Sequence, residues 1–361
     1  MQNPLPLKPG PDSWVSGLIG DHPSTYSRSP RIWNAAYHDL RLDAIYAPFD
    51  VEPADLAPLI EAMRADPRFL GTNVTVPYKQ AVIPLLDEIG PRAARLEAVN
   101  TIVRTPDGEL LGFNTDGEGA IGSLTRGWPG QPEPFLADLS RKSVLLIGAG
   151  GAGSAVAFAI AEQIGPRGRL FIANRTAETA LTLGQRIAAV FENAQGMDEA
   201  DAELLAPGVD LVVNASTRGQ AGAKSARNGK LAYLEPYSAL APASPPSIDE
   251  QPDEPEPARL QRWLATSADS ILENHALSMR FVTRAPRGTR FFDLVYAPAE
   301  TMMLRHARWA GHSGLNGQGM IVFQAAAAFV DHIAQPLLEV HGFDATIRER
   351  VVEVMALNWG A

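Results

Sequence analysis

Cysteine is absent from the chain, which excludes disulfide scaffolds, thiolate metal sites and cysteine nucleophiles. Positive charge is scarce, because 31 Lys and Arg face 41 Asp and Glu, giving a net charge of −10. That balance repels a phosphate backbone, so we expect no nucleic-acid partner. No apolar run approaches the roughly 20 residues that span a bilayer. We therefore expect no membrane association, and a cytoplasmic location.

What is present indicates a globular α/β protein. The 361 residues exceed twice the length of an average domain of ~150, and 45% of them are apolar. Short apolar runs alternate with helical patterns, which predicts mostly parallel sheets covered on both faces. A strand-like run from Leu96 to Thr101 and one long apolar helix from Met320 to Val340 belong to this pattern.

Two segments depart from the globular pattern. Met1 to Gly10 is rich in proline and predicts a loose tail. Glu235 to Pro257 is rich in Pro, Ser and acids, a composition that buries too little apolar surface to offset its ordering entropy. We expect a mobile surface insert that belongs to neither core. A binding tail for a basic partner is the alternative.

A glycine-rich turn follows the strand-like run Ser143–Ile147. Gly148, Gly150 and Gly153 satisfy G-x-G-x-x-G, and a helical pattern follows. In this context the first glycine permits a tight turn, the second lets the backbone approach a pyrophosphate, and the third allows close helix packing. The sequence therefore predicts a dinucleotide site, formed by Gly148, Gly150, Gly151, Ala152 and Gly153.

The next strand end favours NADP over NAD. NAD sites usually place Asp or Glu there to hold the ribose hydroxyls. This chain offers Asn174-Arg175-Thr176 instead, which removes the repulsion and supplies a cation for a 2′-phosphate. A solvated surface charge is the alternative interpretation of Arg175.

Polar residues stand at strand ends in the N-terminal part, where ligands of open α/β sheets collect. Ser27 and Ser29 precede a helix, so both hydroxyls either face one cleft or cap that helix. Asn73 and Thr75 alternate on a strand and share one face.

A lysine and an aspartate suggest proton transfer. Lys79 stands at a predicted helix start, where the helix dipole does not favour a cation. Asp116 precedes a helix of small residues and would serve equally well as a cap. A Lys–Asp pair in a cleft would share the proton needed at a developing alkoxide.

Ten motifs in this order resemble the shikimate dehydrogenase family, over nearly the whole chain. They include Gly17–Gly20, Ser27–Pro30, Asn73–Lys79, Ala98–Thr101, Gly112–Gly117, Gly148–Gly153, Asn174–Thr176, Asn214–Ser216, Asp293–Pro298 and Gly319–Gln324. The resemblance implies a substrate domain of 1–116 and 319–361 and an NADP-binding Rossmann domain of 117–318. The second domain would carry the insert, at about 218–288, and the C-terminal helix would return to the first.

The resemblance also implies roles for single residues. Lys79 and Asp116 would be the catalytic pair in the reversible NADPH-dependent reduction of 3-dehydroshikimate to shikimate, with no metal. The implied substrate-binding residues are Ser27, Ser29, Asn73, Thr75, Asn100, Tyr296 and Gln324. The implied cofactor-binding residues beyond the glycine turn are Asn174, Arg175, Thr176, Asn214, Ser216, Gly319 and Met320.

Departures from the family pattern leave alternatives open. Thr179 stands where a second basic residue is frequent, Ser216 stands where Thr is common, and 73 residues separate Gly219 from Asp293. The alternatives are a quinate/shikimate dehydrogenase, an aminoshikimate-type relative, a methylenetetrahydrofolate dehydrogenase type and a non-catalytic ligand sensor. Serine at both 27 and 29 favours shikimate. We expect a small-molecule substrate and a monomer or homodimer.

Overall fold

The computed structural model describes residues 10, 12–225, 230–251, 253–344 and 346–360. The predicted loose tail therefore lies outside the described residues up to position 9. Two compact units divide the rest: the first takes the residues up to Ala137 and from Gly319 onward, and the second takes Asp138–Gln318. No helix in the described ranges is long and apolar enough to cross a membrane.

Strands and helices alternate through most of the described chain. The strands are β1 Trp14–Gly20, β2 Ala44–Asp50, β3 Phe69–Val74, β4 Glu88–Ile89, β5 Thr101–Arg104, β6 Leu110–Phe113, β7 Ser143–Ile147, β8 Arg169–Asn174, β9 Ala194–Asp198, β10 Leu211–Asn214, β11 Ala223–Ser225, β12 Leu231–Tyr233, β13 Arg290–Asp293 and β14 Ser313–Leu315. The α-helices are α1 Pro23–Tyr26, α2 Ser29–Asp39, α3 Leu56–Ala65, α4 Pro91–Leu96, α5 Asp116–Thr125, α6 Gly151–Ile164, α7 Ala177–Phe191, α8 Glu256–Arg284, α9 Met302–Trp309, α10 Gln318–Ala328, α11 Gln335–Val340 and α12 Ile347–Leu357. In the described residues, three 3₁₀ segments (Pro53–Asp55, Ile83–Leu85 and Glu199–Gly208) and a π-helical segment (Phe329–Ile333) complete the set.

The first unit is built on a mostly parallel sheet with the order β2-β1-β3-β5-β6-β4. Strands β2, β1 and β3 run parallel, and β5 is antiparallel to both of its neighbours. The C-terminal helices return to this unit, as predicted. Their contribution to its core includes Phe329, whose ring centroid lies 5.2 Å from that of Trp33, and Trp33 in turn stacks on Tyr46 at 4.5 Å.

Three local predictions in the first unit are wrong. Lys79 lies in a turn and not at a helix start. Leu96 ends helix α4, and β5 begins only at Thr101, because Pro91 starts a helix that includes Leu96 and the next residue, Glu97, has a left-handed backbone with φ 53°. The predicted single helix from Met320 to Val340 is interrupted by the π-helical turn, and Pro336, in the first turn of α11, leads the second piece.

The second unit contains a six-stranded parallel sheet with the order β9-β8-β7-β10-β13-β14. Numbered by their own sequence, these strands follow the 3-2-1-4-5-6 order of a Rossmann fold. The order in which strands are added reverses between β7 and β10: β8 and β9 lie on one side of β7, and β10 begins the other side. The carboxyl ends of β7 and β10 therefore flank the crevice in which such folds bind dinucleotides.

The prediction that residues 235–257 belong to no core is wrong. A small core forms from Leu231, Tyr233, Tyr237, Ile248 and Trp263, all of them buried. The 29-residue helix α8 carries Trp263, whose indole N–H donates to the carbonyl of Pro246 at 2.6 Å. The insert thus has an apolar core of its own, because a few scattered aromatic and aliphatic residues are enough to cover one face of a long helix.

Candidate active site

Lys79 is held by the turn that follows β3. Its carbonyl accepts the N–H of Val99 at 2.8 Å, and the ring of neighbouring Tyr78 is buried in the core. The Lys79 side chain is 20% exposed, so its ammonium is fixed and still partly accessible.

The Lys79 ammonium donates to Asp116 Oδ2 at 2.6 Å. Asp116 begins α5, and its N–H donates to the Asn114 side-chain oxygen at 3.1 Å. The carboxylate is 9% exposed. The structure thus brings together the two residues that sequence reasoning had paired.

Asn100 fixes the second oxygen of that carboxylate. Its Nδ2 donates to Asp116 Oδ1 at 2.8 Å, and its Oδ1 accepts from the Thr115 N–H at 2.9 Å and from the Thr101 hydroxyl at 2.8 Å. Because the amide oxygen is engaged by two donors, the amide nitrogen is left to face Asp116. Both carboxylate oxygens therefore have defined donors.

Gln324 reaches the same cluster from α10. Its Oε1 lies 3.4 Å from both Asn100 Nδ2 and the Thr115 hydroxyl. This approach requires a glycine on α5, since a Cβ at Gly119 would lie 2.6 Å from the Cβ of Gln324.

Asn73 extends the polar cluster along β3. Its Nδ2 donates to the Thr101 hydroxyl at 3.2 Å, and its Oδ1 accepts from the Tyr46 hydroxyl at 2.8 Å. Burial raises the pKa of Tyr46 well above its usual value, with a hydrogen bond to Ser29 opposing the rise. A protonated tyrosine thus links Asn73 with Ser29.

The remaining substrate residues predicted in the first unit follow the strands β1 and β3; they are Ser27, Ser29 and Thr75. Ser27 Oγ accepts the N–H of Ser29, the first residue of α2, at 3.1 Å, so the two serines are in local contact. Thr75 sits one residue beyond β3, where a Cβ at Gly20 would lie 2.4 Å from its methyl group. Gly20 thus makes room for Thr75 next to the end of β1.

The glycine turn of the second unit has a different environment at each glycine. Gly148 has φ +107°, and a Cβ there would lie 2.7 Å from the N of Ser216. A Cβ on Gly153 would lie 2.1 Å from the Gly148 carbonyl oxygen, whereas Gly150 and Gly151 have no atom within 4 Å of that position. The turn is closely packed on its inner side and open above Gly150, where helix α6 begins. This is the geometry that a pyrophosphate requires.

The end of β8 lies beside this turn. Asn174 Oδ1 accepts the N–H of Ala149 at 3.2 Å, and Asn174 Nδ2 donates to the carbonyl of Thr176 at 3.1 Å. Arg175 is exposed, and within the described part of the chain its guanidinium makes no hydrogen bond or ion pair. An exposed cation therefore stands at the end of β8, next to Asn174.

The loop after β10 is wound around Asn214. Asn214 Oδ1 accepts from both the N–H and the hydroxyl of Ser216, at 2.9 and 2.7 Å, and its Nδ2 donates to Asp293 Oδ1 at 2.8 Å. Asp293 also accepts from the Val295 N–H and the Thr301 hydroxyl. Burial raises the pKa of Asp293 to about 7, against the effect of these three donors.

The other predicted site residues are distributed between the units. Tyr296 follows β13 in the second unit, while Gly319 and Met320 are buried at the start of α10 in the first. A Cβ on Gly319 would lie 2.5 Å from the hydroxyl oxygen of Ser123. Gly319 is therefore a site of close packing between α5 and α10.

Sequence reasoning missed several residues that hold the site together. Thr101 and Thr115 fix the Asn100 amide, and their adjacency to Asn100 and Asp116 was the available signal. Tyr46 carried no signal, because it lies among apolar residues of β2 and its contact with Asn73 is made across the sheet. Asp293 stood in a recognised motif but received no role.

A Rossmann sheet with an open phosphate turn, together with a separate α/β unit that holds a Lys–Asp pair, defines the class of dinucleotide-dependent dehydrogenases. The model of the shikimate dehydrogenase substrate binding domain matches residues 18–102. A relative from Shouchella clausii, named shikimate dehydrogenase (NADP⁺), is 34% identical over 318 residues, which cover 88% of this chain and 91% of the relative. The chain belongs to the shikimate dehydrogenase family.

Solved structures of shikimate and quinate dehydrogenases are similar to this chain in fold. A crystal structure of a shikimate dehydrogenase in complex with NADP⁺ superposes with a TM-score of 0.67 at 28% identity, covering 99% of this chain and 98% of the other. A quinate dehydrogenase from Corynebacterium glutamicum, in complex with NAD, gives a TM-score of 0.65 at 28% identity, with coverages of 95% and 98%.

Proposed function

We propose that this protein is an NADP-dependent oxidoreductase that interconverts 3-dehydroshikimate and shikimate. The observation that carries the proposal is the Lys79–Asp116 pair, at 2.6 Å and held by Asn100, in a member of this family. We assign the first unit to the substrate and the second to the cofactor. The open space above Gly150 supports the second assignment.

Lys79 acts as the proton donor and acceptor at the reacting oxygen. NADPH supplies the hydride when bound. Asp116 orients the ammonium and balances its charge, so that one proton of Lys79 can be directed at a developing alkoxide. Asn100 keeps the carboxylate in place by donating to its other oxygen. A proton donor positioned in this way contributes about 10²–10⁴-fold to a rate.

The other polar residues of the first unit bind the substrate. Ser27 and Ser29 take its carboxylate, while Asn73, Thr75, Asn100 and Gln324 hold its ring hydroxyls. The hydrogen bonds among Asn73, Asn100 and Gln324 support this assignment, since they gather amides that can exchange partners with hydroxyl groups.

NADP is the preferred cofactor. Arg175 is exposed beside the phosphate turn, and the strand end offers the amide of Asn174 in place of a carboxylate. A 2′-phosphate would therefore meet a cation and no repulsion. The name of the relative from Shouchella clausii, which specifies NADP⁺, agrees with this preference.

Quinate oxidation is the second candidate, favoured by the similarity to the quinate dehydrogenase from Corynebacterium glutamicum. The deciding experiment measures absorbance at 340 nm with purified protein, crossing shikimate and quinate with NADP⁺ and NAD⁺. We expect the highest kcat/KM for shikimate with NADP⁺. A higher value with quinate would select the second candidate. No turnover with either polyol, together with tight binding of one of them, would indicate a ligand sensor.

The cellular context stays a prediction. We propose a cytoplasmic enzyme, monomeric or homodimeric, that acts on a small molecule. Cell fractionation tests the location, and light scattering at several protein concentrations tests the oligomeric state.

A further inference from the structure

The Arg218 side chain connects the loop of residues 214–218 with the segment of the insert around Ala241. The Arg218 guanidinium forms an ion pair with Glu199 and donates to the carbonyl of Ala241. Glu199 lies in the 3₁₀ segment after β9, and Ala241 lies in the insert. The Arg218 and Glu199 side chains are 11% and 9% exposed. Removing two charges from water costs free energy, so a buried ion pair adds little net stability. Its main effect is to favour one arrangement of the segments that carry the two charges.

The backbone of Arg218 belongs to the loop around Asn214. The Asn214 amide donates to the Arg218 carbonyl at 3.1 Å, and the Ser216 hydroxyl accepts the Arg218 N–H at 3.3 Å. Asn214 and Ser216 are two of the residues for which the family resemblance implies cofactor binding, and we assign them that role here. The backbone of Arg218 is thus hydrogen-bonded to the side chains of both residues.

The same loop packs against the phosphate turn. The N of Ser216 lies 2.7 Å from the position of a Cβ on Gly148, and the Ala215 methyl lies 3.3 Å from that of a Cβ on Gly153. A shift of a few tenths of an ångström in the loop would therefore be felt at the turn.

The insert segment that receives Arg218 is itself held in place. Asn274 of α8 is buried; its Nδ2 donates to the carbonyls of Ser238, Ala241 and Pro242, each at 3.1 Å, and its Oδ1 accepts the Ser238 N–H at 2.8 Å. The carbonyl of Ala241 thus accepts from both Asn274 and Arg218. An uninterrupted path of hydrogen bonds runs from helix α8 to the loop.

We propose that Arg218 is a positioning residue through which the insert holds the 214–218 loop in the conformation that the cofactor requires. The inference rests on the proposed function, because it concerns binding of NADP to the same unit. Arg218 does not touch the cofactor in this proposal; it acts through Asn214 and Ser216. The insert then contributes to cofactor binding, which a surface loop without contacts to residues 214–218 would not do.

Arg218→Met tests the proposal. This change keeps most of the side-chain volume and removes both polar contacts. We expect the Kd for NADP⁺, measured by calorimetric titration of the folded protein, to rise about tenfold or more, as for loss of a charge-assisted hydrogen bond. The KM for shikimate and kcat at saturating NADP⁺ should stay within about threefold of the parent, since only cofactor binding is affected.

Two companion variants guard against an effect on folding alone. Glu199→Gln combined with Arg218→Met removes the buried charge that the single change leaves unpaired, and should show the same rise in Kd. Arg218→Lys should give an intermediate Kd, because one ammonium cannot reproduce two contacts of a planar guanidinium. Arg280→Met is the matched control: Arg280 pairs with Glu203 of the same 3₁₀ segment, at an exposed site.

The following results would contradict the positioning role of Arg218. A lowered melting temperature with an unchanged Kd for NADP⁺ in both the single and the double variant would assign Arg218 a purely structural role and overturn the inference. An equal rise in Arg280→Met would do the same. If the parent protein neither binds NADP⁺ nor turns over, the proposed function fails and the inference falls with it; a binding, active parent with unaffected variants contradicts the inference alone.

Discussion

Lys79 and Asp116 are 37 positions apart in the chain and meet at 2.6 Å inside one folded unit. The pair is asymmetric: Asp116 is also bound by Asn100, whereas in the described residues Lys79 Nζ has Asp116 as its hydrogen-bond acceptor. The remaining protons of the ammonium are therefore available to a substrate.

Replacement of Lys79 by alanine should lower kcat by about 10²-fold or more, because the reacting oxygen loses its proton partner. The KM for shikimate should change by only a few-fold, since amides and hydroxyls provide most of the proposed contacts. Steady-state kinetics at saturating NADP⁺ measures both. Lys142→Ala is the control, because Lys142 forms a partly exposed lysine–aspartate pair with Asp210. Turnover of Lys79→Ala close to that of the parent would remove Lys79 from the mechanism.

The glycine turn offers a test that separates a ligand site from a structural turn. Gly150→Ala adds a methyl group where no atom lies within 4 Å, so the melting temperature should hardly change while the Kd for NADP⁺ rises. Gly153→Ala places a Cβ 2.1 Å from a carbonyl oxygen, so it should destabilise the fold by about 1–3 kcal/mol or more. Thermal unfolding and cofactor titration of both variants provide the comparison. An unchanged Kd in Gly150→Ala would place the phosphates elsewhere.

Local features of the chain were the ones that sequence could predict. The turn at Gly148 follows directly from a buried strand, so its context was visible within a dozen residues. The pairing of Lys79 with Asp116 could be suggested by residue type, but the arrangement of Asn100 and Gln324 around it depends on the order β3-β5-β6 and on the return of α10. Such long-range pairing leaves no local pattern.

The insert shows the opposite failure. Proline and acidic residues dominate its composition, so the contribution of Tyr237 and Ile248 is not evident from composition. These two residues lie apart in sequence and join the same core as Trp263 of helix α8. The average composition of residues 235–257 therefore predicted no core. Pro246 even contributes its carbonyl to the Trp263 indole. Composition measures how much apolar surface is present, but not whether a neighbouring helix can collect it.

Trp263 is the residue on which the core of the insert depends. Trp263→Ala removes a fully buried indole packed on Tyr233 and Tyr237, and should cost about 3–5 kcal/mol of local stability. Hydrogen exchange across 231–263 should then increase. Trp309→Ala is the control, since that indole is 60% exposed. Deletion of 238–257 should likewise destabilise the second unit, because it removes the buried Leu240 and Ile248. Unchanged exchange in Trp263→Ala would mean that the insert has no cooperative core.

Two buried groups of the second unit should give opposite pH dependences of stability. Asp293 has a pKa of about 7 in the folded protein, against a usual value near 4, so its carboxyl keeps a proton that the unfolded chain has released. Its contribution to stability is full below pH 4 and is lost as pH rises to 7. Burial, with His275 and Arg305 nearby, lowers the pKa of His306 to about 4 from 6.5. Its contribution is present above pH 6.5 and is lost as pH falls to 4.

Single variants separate these two effects. Asp293→Asn should lose stability more steeply than the parent on acidification from pH 7 to pH 4, because it lacks the group that takes up a proton on folding. His306→Gln should lose stability less steeply over the same range. The differences should amount to about 1.4 kcal/mol for each unit of pKa shift. Urea unfolding at four or five pH values measures them as differences from the parent, so that titrations common to all three proteins cancel. Curves parallel to that of the parent for both variants would mean that neither group titrates abnormally. A shallower slope for Asp293→Asn would show that the three hydrogen bonds to Asp293 outweigh its burial.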